Sequence, residues 1–320
     1  MMRDLQDQYG RSFKTLRVSL INTCNLGCVY CTMADTDTKV SNHHQKTNIS
    51  ASELLKIIAN LHQELNLETI RLTGGEPLLY HDLIPVVAGI KAMGIDEIKL
   101  TTNGFLLERM AFKLHKAGMK SINVSLDAIN EDVFFKMSKR SDVGRILKGI
   151  KTSIDCGLDV KLNAVIMKGM NEDQIFPLLD YAFENNIQIR FLEVMAMGHL
   201  YKQSEKYLFT QHDILNAIAS RYNFERLDRK ASATSNYWKT KEGHVFGVIA
   251  NESEPFCGDC NRLRLDSQGN IFGCLSDNHP INIRDIDDTL ELRQKLKLAL
   301  AQKQTVRFVG SELSMLEIGG

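Results

Sequence analysis

Hydrophobic and polar positions alternate along the first 200 residues in a pattern that predicts strands and helices in succession. Short apolar runs that end at Gly, Thr, Asn or Ser are typical of buried strands, and longer segments with apolar residues every three or four positions are typical of helices. The six predicted strands cover residues 16–21, 68–72, 97–101, 121–125, 160–166 and 188–192. The predicted helices cover residues 51–65, 82–93, 106–117, 131–156 and 173–184.

Strand–helix units in a row imply a parallel sheet with right-handed crossovers. Because no dinucleotide-binding fingerprint is present, we predict an α/β fold with an open, partial (β/α)6 barrel over residues 1–200. Catalytic groups then lie at the carboxyl ends of the strands. The pattern changes near residue 198, and residues 201–320 are predicted to be a smaller α+β region that closes the mouth. Its predicted helices and strands cover residues 212–220, 244–250, 262–265, 271–275 and 290–301.

Composition places the chain among ordinary globular proteins. Of 320 residues, 43% are hydrophobic, and 39 Lys+Arg balance 39 Asp+Glu. The zero net charge argues against a general nucleic-acid-binding protein. No apolar run reaches the roughly 18 residues that span a bilayer, and the first residues lack the apolar core of a signal peptide. We therefore expect a cytoplasmic protein without membrane contact, whose seven cysteines serve metal or redox chemistry instead of disulfides.

The first group of cysteines directly follows the first predicted strand. Cys24, Cys28 and Cys31 have the spacing C-x3-C-x2-C. Three thiolates can hold three irons of a four-iron cluster, which leaves the fourth iron open to a small molecule. The alternative is a zinc site completed by His43 or His44, although structural zinc usually uses two paired ligand sets.

A second triad, Cys257, Cys260 and Cys274, has the spacing C-x2-C-x13-C. A second cluster with an open iron for a substrate atom is the sharper hypothesis, and a zinc ribbon completed by His279 is the alternative.

Two arginines next to the second triad predict an anionic substrate. Arg262 and Arg264 are two positions apart on a predicted strand and point to one face, whereas Leu263 and Leu265 point to the core. Guanidinium groups match phosphate oxygens bidentately.

Further polar residues fall on or at the ends of the predicted strands. Arg17, Arg71 and Lys161 add three cations to Arg262 and Arg264, and a nucleoside triphosphate would offset most of this charge. Each of them alone is more often part of a salt bridge. No P-loop is present, so side chains would bind the phosphates. Thr102, Ser125 and Met195 also lie at strand ends.

The first triad and Gly74-Gly75-Glu76-Pro77 after the second strand together resemble the radical S-adenosylmethionine enzymes. Here glycine lets the backbone approach a ligand closely, and exposed carbonyls with the Glu76 carboxylate can accept from the methionyl ammonium. Other features indicate one family within this superfamily. They are the presence of both cysteine triads, the segment Asn261-Arg262-Leu263-Arg264 and the terminal Gly319-Gly320. They resemble the GTP 3′,8-cyclases, the family of molybdenum cofactor biosynthesis protein A, over nearly the whole chain. The chain departs from the family pattern at Gly27, Ala196 and residues 231–238.

This resemblance implies a role for each matching residue. It places one [4Fe-4S] cluster on Cys24, Cys28 and Cys31, and a second, whose open iron meets guanine, on Cys257, Cys260 and Cys274. It implies that the S-adenosylmethionine site is lined by Tyr30, Gly75, Ser125 and Met195. It implies that GTP is contacted by Arg17, Arg71, Thr102, Lys161, Arg262, Leu263 and Arg264. The tail, Gly319 and Gly320, is expected to reach into the active site, although a frayed terminus is the common alternative.

The resemblance also implies a reaction and partners. The chain is expected to be a lyase that makes (8S)-3′,8-cyclo-7,8-dihydroguanosine 5′-triphosphate from GTP, the first step of molybdenum cofactor biosynthesis. A flavodoxin or ferredoxin would supply electrons, and cyclic pyranopterin monophosphate synthase would receive the product. A monomer or a homodimer is expected. Two other hypotheses stay open on the residues alone: a peptide-modifying radical enzyme with an auxiliary cluster, and a zinc-bearing binding module without activity.

Overall fold

One twelve-stranded sheet organises the computed structural model, which describes residues 5–32 and 48–319. Its first six strands run in chain order and pair in parallel. These strands are β1 (Thr15–Ser19), β2 (Thr69–Thr73), β3 (Glu97–Thr102), β4 (Ser121–Ser125), β5 (Asp159–Ile166) and β6 (Gln188–Glu193). The predicted α/β fold with an open, partial barrel is thereby confirmed.

The crossover helices lie between these strands. They are α1 (Ala51–Leu65), α2 (Leu83–Ala92), α3 (Leu107–Lys116), α4 (Glu131–Ser138), α5 (Val143–Asp155) and α6 (Ile175–Glu184). Helix α1 begins where the side chains of Ser50 and Glu53 each accept a hydrogen bond from the other residue's backbone N–H. The helical stretches predicted over 131–156 form two helices, which are separated where Lys139 and Asp142 adopt positive φ values of 57° and 80°.

The carboxyl-terminal third extends the same sheet at both edges. Strand β9 pairs in parallel with β6, and β10 pairs in parallel with β1. The added strands are β7 (Phe224–Leu227), β8 (Asn236–Thr240), β9 (Val245–Ile249), β10 (Arg262–Leu265), β11 (Asn270–Phe272) and β12 (Ile281–Asn282). The helices of this part are α7 (Gln211–Ala219), α8 (Thr289–Ala301) and α9 (Met315–Ile318). Over the described residues the sheet ends at β7 and β12 and does not close.

Alternation along the strands separates an apolar helix-facing side from a polar interior. Leu16, Ile70 and Leu100 are fully buried, while Arg17 and Arg71 occupy alternate positions. Burying such aliphatic side chains contributes roughly 1.5–3 kcal/mol each, which stabilises a barrel whose interior carries charge. Among the described residues, no helix is long and apolar enough to cross a membrane.

Gly273 joins β11 to the second cysteine triad and leaves no room for a side chain. A Cβ atom there would lie 1.7 Å from the carbonyl oxygen of Ala299 in α8. We predict that Gly273→Ala lowers the free energy of unfolding by about 1–3 kcal/mol, because α8 has to move. The matched control is Gly144→Ala in α5, where the nearest atom lies 3.8 Å away. Denaturant unfolding of both variants checks this, and equal stability would contradict it.

Candidate functional site

A cavity of about 330 Å³ lies at the carboxyl ends of the barrel strands. Both cysteine triads line it, although more than 200 residues separate them in the chain. Its six thiols belong to Cys24, Cys28, Cys31, Cys257, Cys260 and Cys274. The structure therefore brings both predicted cluster sites to one chamber.

The loop that carries the first triad is held by α4 and by the β3–α3 loop. Gly27 N and Val29 N donate to backbone carbonyls at the end of α4, each at 2.9 Å. Asn103 Nδ2 donates to Asn25 Oδ1 at 2.8 Å and lies 3.7 Å from Cys24 Sγ. Burial raises the pKa of the Cys31 thiol to about 12, so binding of iron has to displace a proton there.

The Gly74-Gly75-Glu76-Pro77 segment packs against the chain that precedes the first triad. A Cβ atom on Gly75 would lie 2.1 Å from the carbonyl oxygen of Thr23. The close approach that requires glycine is thus made to the cysteine loop itself, which differs from the expected approach to a ligand.

Glu76 is 1% exposed and is occupied by the protein's own donors. Its carboxylate accepts from Thr102 Oγ1 at 2.6 Å, Asn103 N at 2.7 Å and Leu78 N at 2.9 Å. Burial raises the pKa of Glu76 to about 7, against the effect of these bonds. The carboxylate thus ties the segment to the loop after β3. Glu76 also lines the chamber, and its acceptance of a hydrogen bond from the methionyl ammonium stays a prediction.

The four residues predicted to bind the cofactor all line the chamber; they are Tyr30, Gly75, Ser125 and Met195. The Tyr30 hydroxyl donates to Asp127 at 2.8 Å, and the other oxygen of Asp127 accepts from Val165 N at 2.8 Å. Burial raises the pKa of Asp127 to about 6. This buried carboxylate orients the Tyr30 ring beside the first triad.

The residues predicted to contact the substrate separate into three groups. Five line the chamber: Arg17, Arg71, Thr102, Arg262 and Arg264. Lys161 instead lines a second cavity of about 390 Å³ near the amino ends of β3, β4 and β5, so the expectation that all five cations share one mouth is wrong for this residue. Leu263 is fully buried, and its side chain points away from the chamber as its place in the strand predicted.

Cations on neighbouring strands lie side by side in the barrel interior. In the register of the sheet, Arg264 is opposite Arg17, Arg17 is opposite Arg71, and Arg71 is opposite Lys99. Burial and then the neighbouring arginines lower the pKa of Arg71 and Arg264 to about 10. In residues 5–32 and 48–319 none of these three arginines forms a salt bridge.

Arg190 and Lys303 line the chamber although sequence analysis did not select them. Arg190 is 8% exposed, and its Nε and Nη2 atoms have no hydrogen-bond partner among the described residues. It lines both cavities together with Arg71, so the cationic surface is continuous from one to the other. The signal for Arg190 was its place between the apolar residues Ile189 and Phe191 in β6.

The carboxyl-terminal segment enters the chamber. Met315 and Leu316 line it, and the carbonyl of the buried Gly319 accepts a hydrogen bond from Arg264 Nη1. Ile318 belongs to a small apolar cluster with Phe308. The tail is thus anchored as far as Gly319, and Gly320 lies outside the described residues.

The structure shows no histidine positioned as a fourth zinc ligand at either cysteine triad among the described residues. His279 is exposed and pairs with Asp277 at 3.0 Å, whereas His43 and His44 lie outside the described residues. Within the described ranges, no set of three or more His, Cys, Asp and Glu side chains is arranged to hold a single metal ion.

Comparison with known proteins supports one family. The Radical SAM superfamily matches residues 18–182, and the Molybdenum Cofactor Synthesis C family matches residues 187–308. A GTP 3′,8-cyclase of Synechocystis sp. is 36% identical over all of this chain and 96% of its own length. One from Staphylococcus haemolyticus is 37% identical over 86% of this chain and 82% of its own.

A solved structure shows the same fold. It is SuiB of Streptococcus suis bound to its precursor peptide, with a TM-score of 0.66 at 17% identity over 92% of this chain and 72% of that one. The match of both domains and the full-length relatives decide the assignment: this chain is a radical S-adenosylmethionine enzyme and belongs to the GTP 3′,8-cyclase family.

Proposed function

We propose that the chain binds GTP between the two cysteine triads and converts it to (8S)-3′,8-cyclo-7,8-dihydroguanosine 5′-triphosphate, the first step of molybdenum cofactor biosynthesis. The observation that carries this proposal is the row of arginines without carboxylate partners in the described barrel interior. Charges in such a place are costly unless an anion neutralises them. A triphosphate carries enough negative charge to do so.

We assign one cluster to each cysteine triad of the chamber, with the substrate between them. The family uses a [4Fe-4S] cluster and S-adenosylmethionine, and we assign that cluster to the first triad. When bound, this pair supplies the radical that abstracts the ribose C3′ hydrogen. We assign a second [4Fe-4S] cluster to Cys257, Cys260 and Cys274, where three thiols again leave one iron open. That open iron is the proposed contact for guanine.

The chain's own residues position the substrate. Arg17, Arg71 and Arg264 lie on three adjacent strands and are spaced along one row, which suits successive phosphates better than a single phosphate. Arg190 and Lys161 extend this charge towards the amino-terminal opening. With the phosphates fixed there, C3′ and C8 of the same nucleotide are held for ring closure, and such fixed orientation supplies a large part of the rate.

The tail and its apolar neighbours limit the entry of water. Phe308, Met315 and Leu316 line the chamber, and Ile318 packs beside Phe308. Exclusion of water protects a radical from side reactions. We therefore assign the carboxyl-terminal segment to closing the chamber over bound GTP.

The proposed partners follow from the reaction. An acidic one-electron carrier such as a flavodoxin or ferredoxin would reduce the first cluster, and cyclic pyranopterin monophosphate synthase would receive the product. All seven cysteines are free thiols in the structure, as cluster assembly in the reducing cytoplasm requires.

Anaerobic reaction of the reduced, reconstituted protein with GTP and S-adenosylmethionine tests the proposal. We predict one 5′-deoxyadenosine for each cyclised nucleotide and about eight irons per chain, because two four-iron clusters are required. Mass spectrometry and iron analysis measure both. Deoxyadenosine formed without a GTP-derived product would contradict the substrate, and about one zinc per triad without iron would contradict the chemistry.

Arg190→Met separates a phosphate-binding role from a structural one. We predict a KM for GTP raised about 10–100-fold, since a charged hydrogen bond contributes about 1.5–3 kcal/mol. The ligand-free variant should be at least as stable as the wild type, because the substitution removes a buried charge that has no carboxylate partner among the described residues. Steady-state kinetics and denaturant unfolding provide both readouts. Arg221→Met, at an exposed ion pair with Asp180, is the control, and an unchanged KM in Arg190→Met would contradict the role.

A further inference from the structure

A buried lysine contacts the second cysteine triad. Lys303 follows α8 and is 6% exposed. Its Nζ atom donates to Cys260 Sγ at 3.4 Å and to the backbone carbonyl of Arg262, and it lies 4.9 Å from the centre of the Phe13 ring. Among the described residues no carboxylate pairs with it. A buried ammonium group requires a negative partner, and the Cys260 sulfur, which is a thiolate when it binds iron, is in contact with it.

The first triad lacks such a cation. In the described part of its surroundings, the sulfur of Cys24 receives contacts from neutral donors, Leu26 N at 3.4 Å and Asn103 Nδ2 at 3.7 Å. The buried carboxyl group of Asp127 lines the same part of the chamber and accepts from the Tyr30 hydroxyl at 2.8 Å. The cation beside this loop, Arg140, donates at 3.2 Å to the backbone carbonyl of Asn25 and not to a sulfur. Among the described residues, the two sites therefore differ in whether a cation contacts a ligating sulfur.

We infer that Lys303 is a positioning residue for the second cluster and raises its reduction potential through the N–H···S contact with Cys260. This inference rests on the second cluster of the proposed function. A cluster gains one negative charge when it is reduced, so a cation at a ligating sulfur stabilises the reduced form more than the oxidised form. The first cluster, which has to be a strong reductant, has no such contact in the described chain. The reduction potential of the second cluster is thereby higher than that of the first cluster.

A redox titration of the full-length holoenzyme, followed by electron paramagnetic resonance, tests the inference. A chain with Cys24→Ala, Cys28→Ala and Cys31→Ala identifies the signal of the second cluster. In Lys303→Met we expect the reduced second cluster to lose at least tenfold in relative stability, which is about 59 mV for one electron. The potential of the first cluster should stay unchanged.

Further variants separate charge from packing. Lys303→Arg keeps the charge and should restore most of the potential, whereas Lys303→Gln keeps only a neutral donor and should fall between Met and the wild type. Lys297→Met makes the same substitution at an exposed position of α8 and should change neither potential.

Two results would overturn the inference. One is an unchanged second potential in Lys303→Met. The other is loss of the second cluster from all three Lys303 variants while the wild type keeps it, because the lysine would then be structural. A wild-type chain with only about four irons would show, before any titration, that the proposed second cluster itself is wrong.

Discussion

The mutual repulsion of arginines inside the barrel is the constraint on which the rest of the structure depends. Neighbouring strands lie about 4.8 Å apart, so like charges at register-matched positions repel each other. Arg264, Arg17 and Arg71 occupy three such positions in succession, and no carboxylate among the described residues neutralises them. The aliphatic side of the same strands keeps the sheet folded. The charged side is complete only with a polyanion, which links the fold directly to the choice of substrate.

Around that charged centre, the protein's own contacts fasten the loops at the strand ends to one another. Glu76 accepts from the loop after β3, and Gly75 packs on the segment that leads to the first triad. The tail is fixed by Arg264 through Gly319. These contacts hold the two triads at defined places on one chamber. Preorganisation of this kind reduces the cost of orienting substrate and cofactor at the moment of reaction.

Much of this was accessible from the sequence, and the reasons are local. The period of two in β1 to β6 and the strand-ending Gly, Thr and Ser residues marked the barrel, and the cysteine spacing with Arg262 and Arg264 marked the site. What escaped prediction depends on long-range pairing. The place of β10 beside β1 and of β9 beside β6, on opposite sides of the six-stranded barrel, is set by register between distant segments. β7 was missed because Phe224–Leu227 is largely exposed and has no alternating apolar face.

The chemistry of single residues shows the same limit. Lys161 lies near the amino end of β5 and therefore lines the amino-terminal cavity. The sequence analysis considered which face of the strand Lys161 occupies, but not its position along the barrel axis. The hydrogen bonds of Glu76 with Thr102 and Asn103 were not predicted because these partners are 26 and 27 positions away in the chain. The most direct test of the account is thermal unfolding of the anaerobic holoenzyme with inorganic triphosphate, against sulfate at equal ionic strength. We expect Tm to rise with the logarithm of triphosphate concentration above Kd, with about 2.7 kcal/mol of stabilisation at 100 times Kd. An equal Tm in both salts would contradict a triphosphate site.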